Sequence, residues 1–508
     1  MNLADWIDRW AGFAPGKTAI HCEGRYLSYA DMADRVARLA GILRHRLEVR
    51  RGDRVAVIGY NSADTLVLLF ACARVGAVFL PLNWRLAAPE HEYIVNDCTP
   101  RALFAGPEFA PQVDASRGAI DVPHLVALDG DGPGDGPGGW LALDDLMAGA
   151  EPLTRGDGGP ADAVLICYTS GTTGRPKGTL LDQNALTFTA VNGAHMHDLT
   201  SADLVMSTLP LFHVGGLNIQ TLPALHAGAT VDLHAKFDPA DALAAIADHR
   251  PSLTVLVPAQ LQAMMALPQW RTTDLTCLRV ISTGSTLVPL SLIRAVHARG
   301  IPLIQVYGAT ETAPTAVYLR AEDAVRKEGS CGKAAVHCEM RLVDDDGRDV
   351  APGAPGEVWI RGANVMTGYW NRPDDTAQVL TDGWFHTGDV GHLDDDGFLY
   401  IDDRKKDVII SGGENIYPAE LENVLADCPA IREAAVVGRR DPRWGEVPVA
   451  VVVRTGDDTL DGAGVLGLFE SRLARFKHPR EVVFVDALPR NAMGKIQKHE
   501  ISKLLETN

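Results

Sequence analysis

No stretch of this sequence stays apolar for long enough to span a bilayer. Its eight cysteines form no C-x-x-C pair and show no zinc-like spacing. Most stand in apolar surroundings such as LICYT and LFACARVG, so reduced, buried thiols in a cytoplasmic protein are expected rather than a disulfide framework. Positive charge is also scarce: 47 Lys and Arg against 65 Asp and Glu leave a net charge of −18. That field argues against nucleic acid or an anionic membrane as the main partner, and an anionic ligand would need a local positive site to overcome it. The opening MNLADWIDRWAGF carries acids early and reads as a helix rather than a signal peptide.

What is present is an ordinary globular composition, 46% hydrophobic and 22% charged over 508 residues, enough for two or more domains. Residues 26–105 alternate helix-like and strand-like pieces: YLSYADMADRVARLAGILRHRL has apolar residues at helical period, RVAVIGY is a short apolar run, and TLVLLFACARVGAVFLPL repeats the idea. Such alternation predicts a layered α/β domain with a largely parallel sheet. GDGPGDGPGGW (130–140) is a surface loop by composition, since neither a cation nor an apolar strand adjoins its glycines. The α/β alternation resumes from 161 with ADAVLICY, TVDLHA, DALAAIADH, LTVLVP, LRVIST and PLIQVYG. Around 340–400 short strands separated by Asp- and Gly-rich turns predict antiparallel β structure. From DVIISGGENIYPAELENVL onward, with a helix near 463–475, a small α+β unit of about one hundred residues is expected.

Five runs carry chemistry. YTSGTTGRPKG (168–178) follows a predicted buried strand, and its glycines and hydroxyls suit backbone N–H groups converging on a phosphate, with Lys177 neutralising charge. It is not a Walker A loop, because Pro176 precedes Lys177 and Gly178 follows it. Taken alone, a mobile surface turn explains it equally well. VYGATET (306–312) sets Glu311 behind a strand, a position that suits Mg²⁺ on nucleotide phosphates and equally an exposed strand-end acid. DGWFHTGDVG (382–391) and YIDDRKKDVIISGGENIYP (400–418) add Asp389 and Arg404. PRNAMGKIQK (489–498) places Lys495 after a glycine near the C-terminus.

In this order, and over nearly the whole chain, these runs resemble the adenylate-forming superfamily of acyl-CoA synthetases, firefly luciferase and peptide-synthetase adenylation domains. Bacterial fatty-acid or aryl-acid CoA ligases are the nearest likeness. The resemblance implies a large N-terminal ATP- and acyl-binding domain (1–405) of layered α/β subdomains and a β-rich subdomain. A small mobile α+β domain (406–508) follows, with a hinge near Lys406. It implies ATP, Mg²⁺ and coenzyme A as ligands. Thr169, Ser170, Gly171, Thr172, Thr173, Gly174 and Lys177 would then embrace the ATP phosphates. Tyr307 would stack on adenine, Thr310 lie near the α-phosphate, Glu311 hold Mg²⁺, and Asp389 and Arg404 hold the ribose. Lys495 would bridge the substrate carboxylate and the α-phosphate, and His213 in PLFHVGG would gate the acyl carboxylate. After rotation of the small domain, Gly412 and Gly413 in SGGEN would line the pantetheine tunnel. Trp444, Phe476, Lys477 and Arg480 are candidates for the CoA nucleotide, although Phe476 suits a core equally. His195 and His197, two apart on a helix end, do not share a face and are not read as a metal pair. TGSTLVP, with Ser285, Thr286 and Leu287, departs from the Gly-Gly-Ala-Pro of many relatives and puts the pocket's shape in question.

The segments expected around the acyl group, NALTFTAVNGAHM, FHVGGLN, STGST and YGATETAP, hold no Lys or Arg. A buried second carboxylate would lack a cation there, so an uncharged tail is expected, aliphatic or aryl. Gly215, Gly216, Gly308 and Ala309 leave room for bulk. The acceptor is read as CoA, with a carrier-protein pantetheine as the alternative. No integral membrane segment or nucleic acid is called for, and a homodimer is compatible with the sequence.

Overall fold

The computed structural model describes residues 2–128, 139–169, 176–286, 288–411, 414–456, 460–470, 472–491 and 494–506. Among these residues the strands form four sheets. Two large α/β sheets, one of nine strands and one of eight, build the body of the chain. In the nine-stranded sheet Leu204–Ser207, Leu253–Val255, Val280–Gly284 and Leu303–Tyr307 run parallel and in register. In the other, Val78–Pro81, Arg54–Ile58, Ala102–Ala105 and His124–Ala127 do the same. These strands are buried nearly throughout, as expected where helices cover both faces.

Local signals set the helices between the sheets. Ser28 and Asp31 form a reciprocal capping box at the start of Tyr29–His45. Ser62 caps Ala63–Val75, which is buried from Thr65 onward. A helix buried all round belongs in the core rather than on the surface. Leu66, Phe70, Leu165 and Leu181 join residues from both large sheets in one hydrophobic core.

The texture change near 340 is an antiparallel sheet of Cys338–Val343, Gly356–Gly362, Trp384–Leu393, Leu380–Thr381 and Leu399–Arg404. The last sheet begins at Ile409–Ser411 and is built around the long pair Ile431–Asp441 and Gly445–Arg454. One expected element is shorter than the sequence suggested. The helix near 463–475 covers only Gly462–Gly467, where three glycines in six residues weaken the helical state. No described helix is long and apolar enough to cross a membrane.

Candidate active site

The strand Leu303–Tyr307 ends at Gly308, where a Cβ would sit 1.7 Å from the Pro314 carbonyl oxygen. Glycine lets the chain double back into the short 3₁₀ turn Thr310–Thr312, which presents Glu311. Tyr369 donates its hydroxyl to Glu311 Oε1 at 2.8 Å, and Met366 N–H donates to the Glu311 carbonyl at 2.7 Å. Tyr369 lies on the strand that pairs with Lys177–Asp182, directly opposite Thr179. Lys177 Nζ stands 5.6 Å from the Tyr369 ring centre and 2.8 Å from Asp375 Oδ1. Glu311 and Lys177 thus border the same tyrosine, one at its hydroxyl and one at its ring face.

Behind this edge, Tyr307 donates to Asp389 Oδ2 at 2.8 Å, while Arg404 Nε reaches Asp389 Oδ1 at 2.6 Å. Burial pushes the Asp389 carboxyl above its ordinary range, and the Arg404 charge and the Tyr307 hydroxyl oppose that shift. The register Asp389↔Arg404 between neighbouring antiparallel strands makes the pair.

Lys495 enters the same neighbourhood from the far end of the chain. Its backbone N–H donates to Asn491 Oδ1 at 3.0 Å, and Gly494 beside it has φ +77°. The side chain keeps contact with solvent although protein surrounds it. Burial lowers its pKa, and the Arg404 charge adds to that, against the pull of Asp389 and Glu311. The Lys495 ammonium is felt in turn by His213. Burial first, and then the cations Lys495 and Arg85, push the His213 pKa down to about 4. His213 is therefore neutral at pH 7, and its Nδ1 accepts the Gly215 N–H at 3.0 Å. Glu311, Asp389, Arg404, Lys495 and His213 form one electrostatic cluster drawn from remote parts of the sequence.

Of the remaining candidates, Thr169 ends the strand Ala163–Thr169 and Thr310 is buried. Ser170, Gly171, Thr172, Thr173, Gly174, Leu287, Gly412 and Gly413 lie outside the described residues. Lys406 is exposed in the short turn Lys405–Asp407. Phe476 is 44% exposed, so it is not a core residue, and Trp444 is 39% exposed. Arg480 lies 5.8 Å and Arg443 5.0 Å from the Trp444 ring centre. Lys477 is held by the Glu420 carboxylate at 2.7 and 2.8 Å and lies 5.9 Å from the Phe476 ring.

Two expectations about the pocket need correction. Gly216 and Gly308 do not make room for a bulky tail, because backbone already fills the space a side chain would take. A Cβ at Gly216 would lie 2.3 Å from the Pro210 carbonyl oxygen. Nor is the region free of cations. Arg85, from a distant loop, lies 4.3 Å from the Trp84 ring and 5.5 Å from Phe212, the neighbour of His213. Among the described residues no carboxylate pairs with it. Ser285, at the departure from the relatives' pattern, takes φ +70°, a conformation that favours glycine.

Deeper along the helical run that His213 opens lies a polar cluster that the sequence reading passed over. His197 Nδ1 is 2.8 Å from the Gly193 carbonyl, so Nδ1 carries the proton and Nε2 accepts. Ser282 Oγ at 2.7 Å then donates to Nε2, while the Gln220 amide nitrogen, 3.1 Å from Nε2, donates to Ser282 Oγ at 3.3 Å. Among the described residues Gln220 Oε1 and both amide atoms of Asn218 have no partner, and these two side chains are fully buried. Leu217–Thr221 is a π-helical turn, a form that often accompanies function. The signal in the sequence was two amides, Asn218 and Gln220, within the otherwise apolar GGLNIQTLPAL.

Known proteins share the sequence family and the fold. Residues 7–370 match the model of the AMP-binding enzyme family, and residues 420–495 match that of the AMP-binding enzyme C-terminal domain. An indoleacetate–CoA ligase of Aromatoleum aromaticum is 55% identical over 99% of this chain and 98% of its own. A feruloyl-CoA synthase of an Amycolatopsis species is 42% identical over 99% of both chains. Among solved structures, the o-succinylbenzoate coenzyme A synthetase of Bacillus subtilis with ATP and magnesium superposes with a TM-score of 0.84. It is 31% identical and covers 97% of this chain and 98% of that one. A family model spanning most of the chain, together with full-length relatives, settles the membership: the protein belongs to the AMP-binding enzyme family.

Proposed function

We propose that the protein is an AMP-forming CoA ligase for an aromatic monocarboxylic acid whose ring system carries a neutral hydrogen-bond donor. The carboxylate attacks the α-phosphorus of ATP, releasing pyrophosphate and forming acyl-AMP. The CoA thiolate then attacks the acyl carbon, and AMP leaves. The observation that carries the reaction is the convergence of Lys495 with Arg404, Asp389, Glu311 and His213.

Carboxylate attack on a phosphate ester brings two anions together, so preorganised cations lower its barrier. Lys495 supplies that charge between the carboxylate and the α-phosphate, and the loop ending in Lys177 receives the outer phosphates. Tyr307 stacks on adenine, Asp389 and Arg404 hold the ribose, and Thr310 donates near the α-phosphate. His213, neutral, closes the acyl side without adding charge. Glu311, an oxygen donor fixed by Tyr369, fits a hard cation, and Mg²⁺ held there would neutralise phosphate charge. Trp444 and Arg480 offer an aromatic and cationic platform for the CoA nucleotide.

The polar cluster supports the substrate class. Gln220 follows His213 by seven residues on one helical run, about 10 Å at the helical rise. A tail of one or two rings spans that depth. Because the Gln220 amide nitrogen is turned to Ser282 and His197, its Oε1, without a partner among the described residues, needs a donor such as a ring N–H or a phenolic O–H. A saturated chain would leave Gln220 Oε1 unpaired. The two acids named in the relatives at 55% and 42% identity, indoleacetate and ferulate, each carry such a donor on the ring.

Pyrophosphate release with a panel of acids, with and without CoA, tests the reading. The panel pairs indole-3-acetate with its N-methyl analogue, and adds a fatty acid and a dicarboxylate that would engage Arg85. Preference for the N–H acid by tenfold or more supports the donor assignment, and its loss in Gln220→Leu locates it. Equal rates across the matched pair refute the substrate class, and absence of CoA-dependent thioester refutes the reaction.

A further inference from the structure

A second constellation lies apart from the cleft, at the opposite edge of the nine-stranded sheet. The strand Thr18–Cys22 pairs in parallel with Thr230–Leu233, and the register sets His21 directly across from Asp232. His21 Nδ1 is 2.7 Å from Asp232 Oδ1. His249, in the last turn of the helix Pro239–His249, brings its own Nδ1 to 2.9 Å from Oδ2. His234, just past the strand, holds Nε2 at 3.7 Å from the same oxygen. The donor atoms of His21, Asp232 and His249 all lie within 4.8 Å of one another. Tyr26 stacks on the His21 ring at 4.4 Å and fixes its plane.

Three imidazoles around one carboxylate is an unusual way to keep a buried charge. Asp232 is 2% exposed, and among the described residues no lysine or arginine pairs with it. Burial disfavours its charged form, yet the surrounding imidazoles outweigh burial and hold the carboxyl below its ordinary range. Lys and Arg, the usual partners of a buried carboxylate, are missing among the described residues.

We propose that His21, Asp232 and His249 bind a divalent transition-metal ion of the zinc class, with solvent entering past the exposed His249 completing the set. Nitrogen and carboxylate donors in a four-coordinate set are what Zn²⁺ prefers. Ligands at about 2.0–2.2 Å from such an ion stand roughly 3.3 Å apart, so the cluster closes around it with shifts on the order of 1 Å. On binding, His21 and His249 release the Nδ1 protons that they now donate to Asp232 and move them to Nε2. His249 is solvent-exposed, which gives the ion its entry path. The ion would tie the N-terminal hairpin strand to the end of the helix Pro239–His249, far from the residues that handle ATP. Its role is therefore structural.

The test uses the full-length enzyme without nucleotide, stripped with a chelator and dialysed against Zn²⁺ alone. The wild type is expected to retain one tight equivalent and to gain thermal stability with Zn²⁺. His249→Gln keeps an N–H donor for Asp232 but removes a ligand. It should fold, bind Zn²⁺ at least tenfold more weakly and show no Zn²⁺-dependent rise in Tm, while adenylation with Mg²⁺ stays at the wild-type rate. A wild type that retains no saturable equivalent overturns the proposal. So does a His249→Gln variant that retains the same equivalent with the same affinity, because the ion would then sit elsewhere.

Discussion

Tyr307 and Asp389 are joined by a 2.8 Å hydrogen bond from the phenol to Oδ2, while the other carboxylate oxygen is held by Arg404. The bond links the end of a parallel strand to the antiparallel sheet and orients both the proposed adenine and ribose contacts. Tyr307→Phe keeps the ring but removes the donor to a buried carboxylate. A hydrogen bond to a charged group contributes about 1.5–3 kcal/mol, so ATP affinity should fall roughly tenfold or more. Binding measured by calorimetry checks this; an unchanged Kd for ATP would show that Asp389 is oriented without Tyr307.

Lys495→Ala should remove the cation proposed to stand at the reacting phosphate. By analogy with the loss of one oxyanion donor, about 3 kcal/mol, adenylation slows by about two orders of magnitude while the fold survives. Thioester formation from supplied acyl-AMP should be far less affected on the proposal that the small domain carries Lys495 away for the second step. Single-turnover assays of each half-reaction decide it, and equal losses in both would sink the two-conformation scheme.

Glu311→Gln substitutes a neutral amide for a hard oxygen donor. The expected outcome is a higher Mg²⁺ requirement for pyrophosphate release, with the rate partly recovered at high Mg²⁺. A wild-type rate at limiting Mg²⁺ would remove Glu311 from the metal site.

Acid stability should follow His197. Burial holds its folded-state pKa at about 4, whereas an unfolded histidine titrates near 6.5. The unfolded chain therefore binds the extra proton, and stability falls as pH drops from about 6.5 towards 4. The shift corresponds to roughly 3 kcal/mol over that window. Denaturation midpoints measured across that window should decline in the wild type and decline less in His197→Gln. Parallel curves for the two proteins would rule the histidine out.

Ser285 takes φ +70° without being glycine. Such a residue costs on the order of 1–3 kcal/mol. Ser285→Gly should therefore raise Tm, and a lower Tm would mean that the serine side chain contributes more than the strain costs.

The sequence by itself determined the layered α/β body, the antiparallel insert and the family. Each rests on information local in the chain: apolar period, turn residues, and motifs long enough to be specific. The motifs that hold Glu311, Asp389, Arg404 and Lys495 were legible for that reason, since each is a short signature of its own. Tertiary structure alone decided what those residues touch. Tyr369 holding Glu311, Arg85 lying over Phe212 and Phe476 lying exposed all depend on which distant segments pack together. The two glycines read as space for substrate are instead points where backbone crosses backbone, a contact that no side-chain pattern records. Asn218 and Gln220 in an apolar helix, and His21, Asp232, His234 and His249 spread over more than two hundred residues, carry no motif. Strand register and helix packing bring them together, because hydrogen bonding and ligation act over a few ångströms in space and are indifferent to separation along the chain.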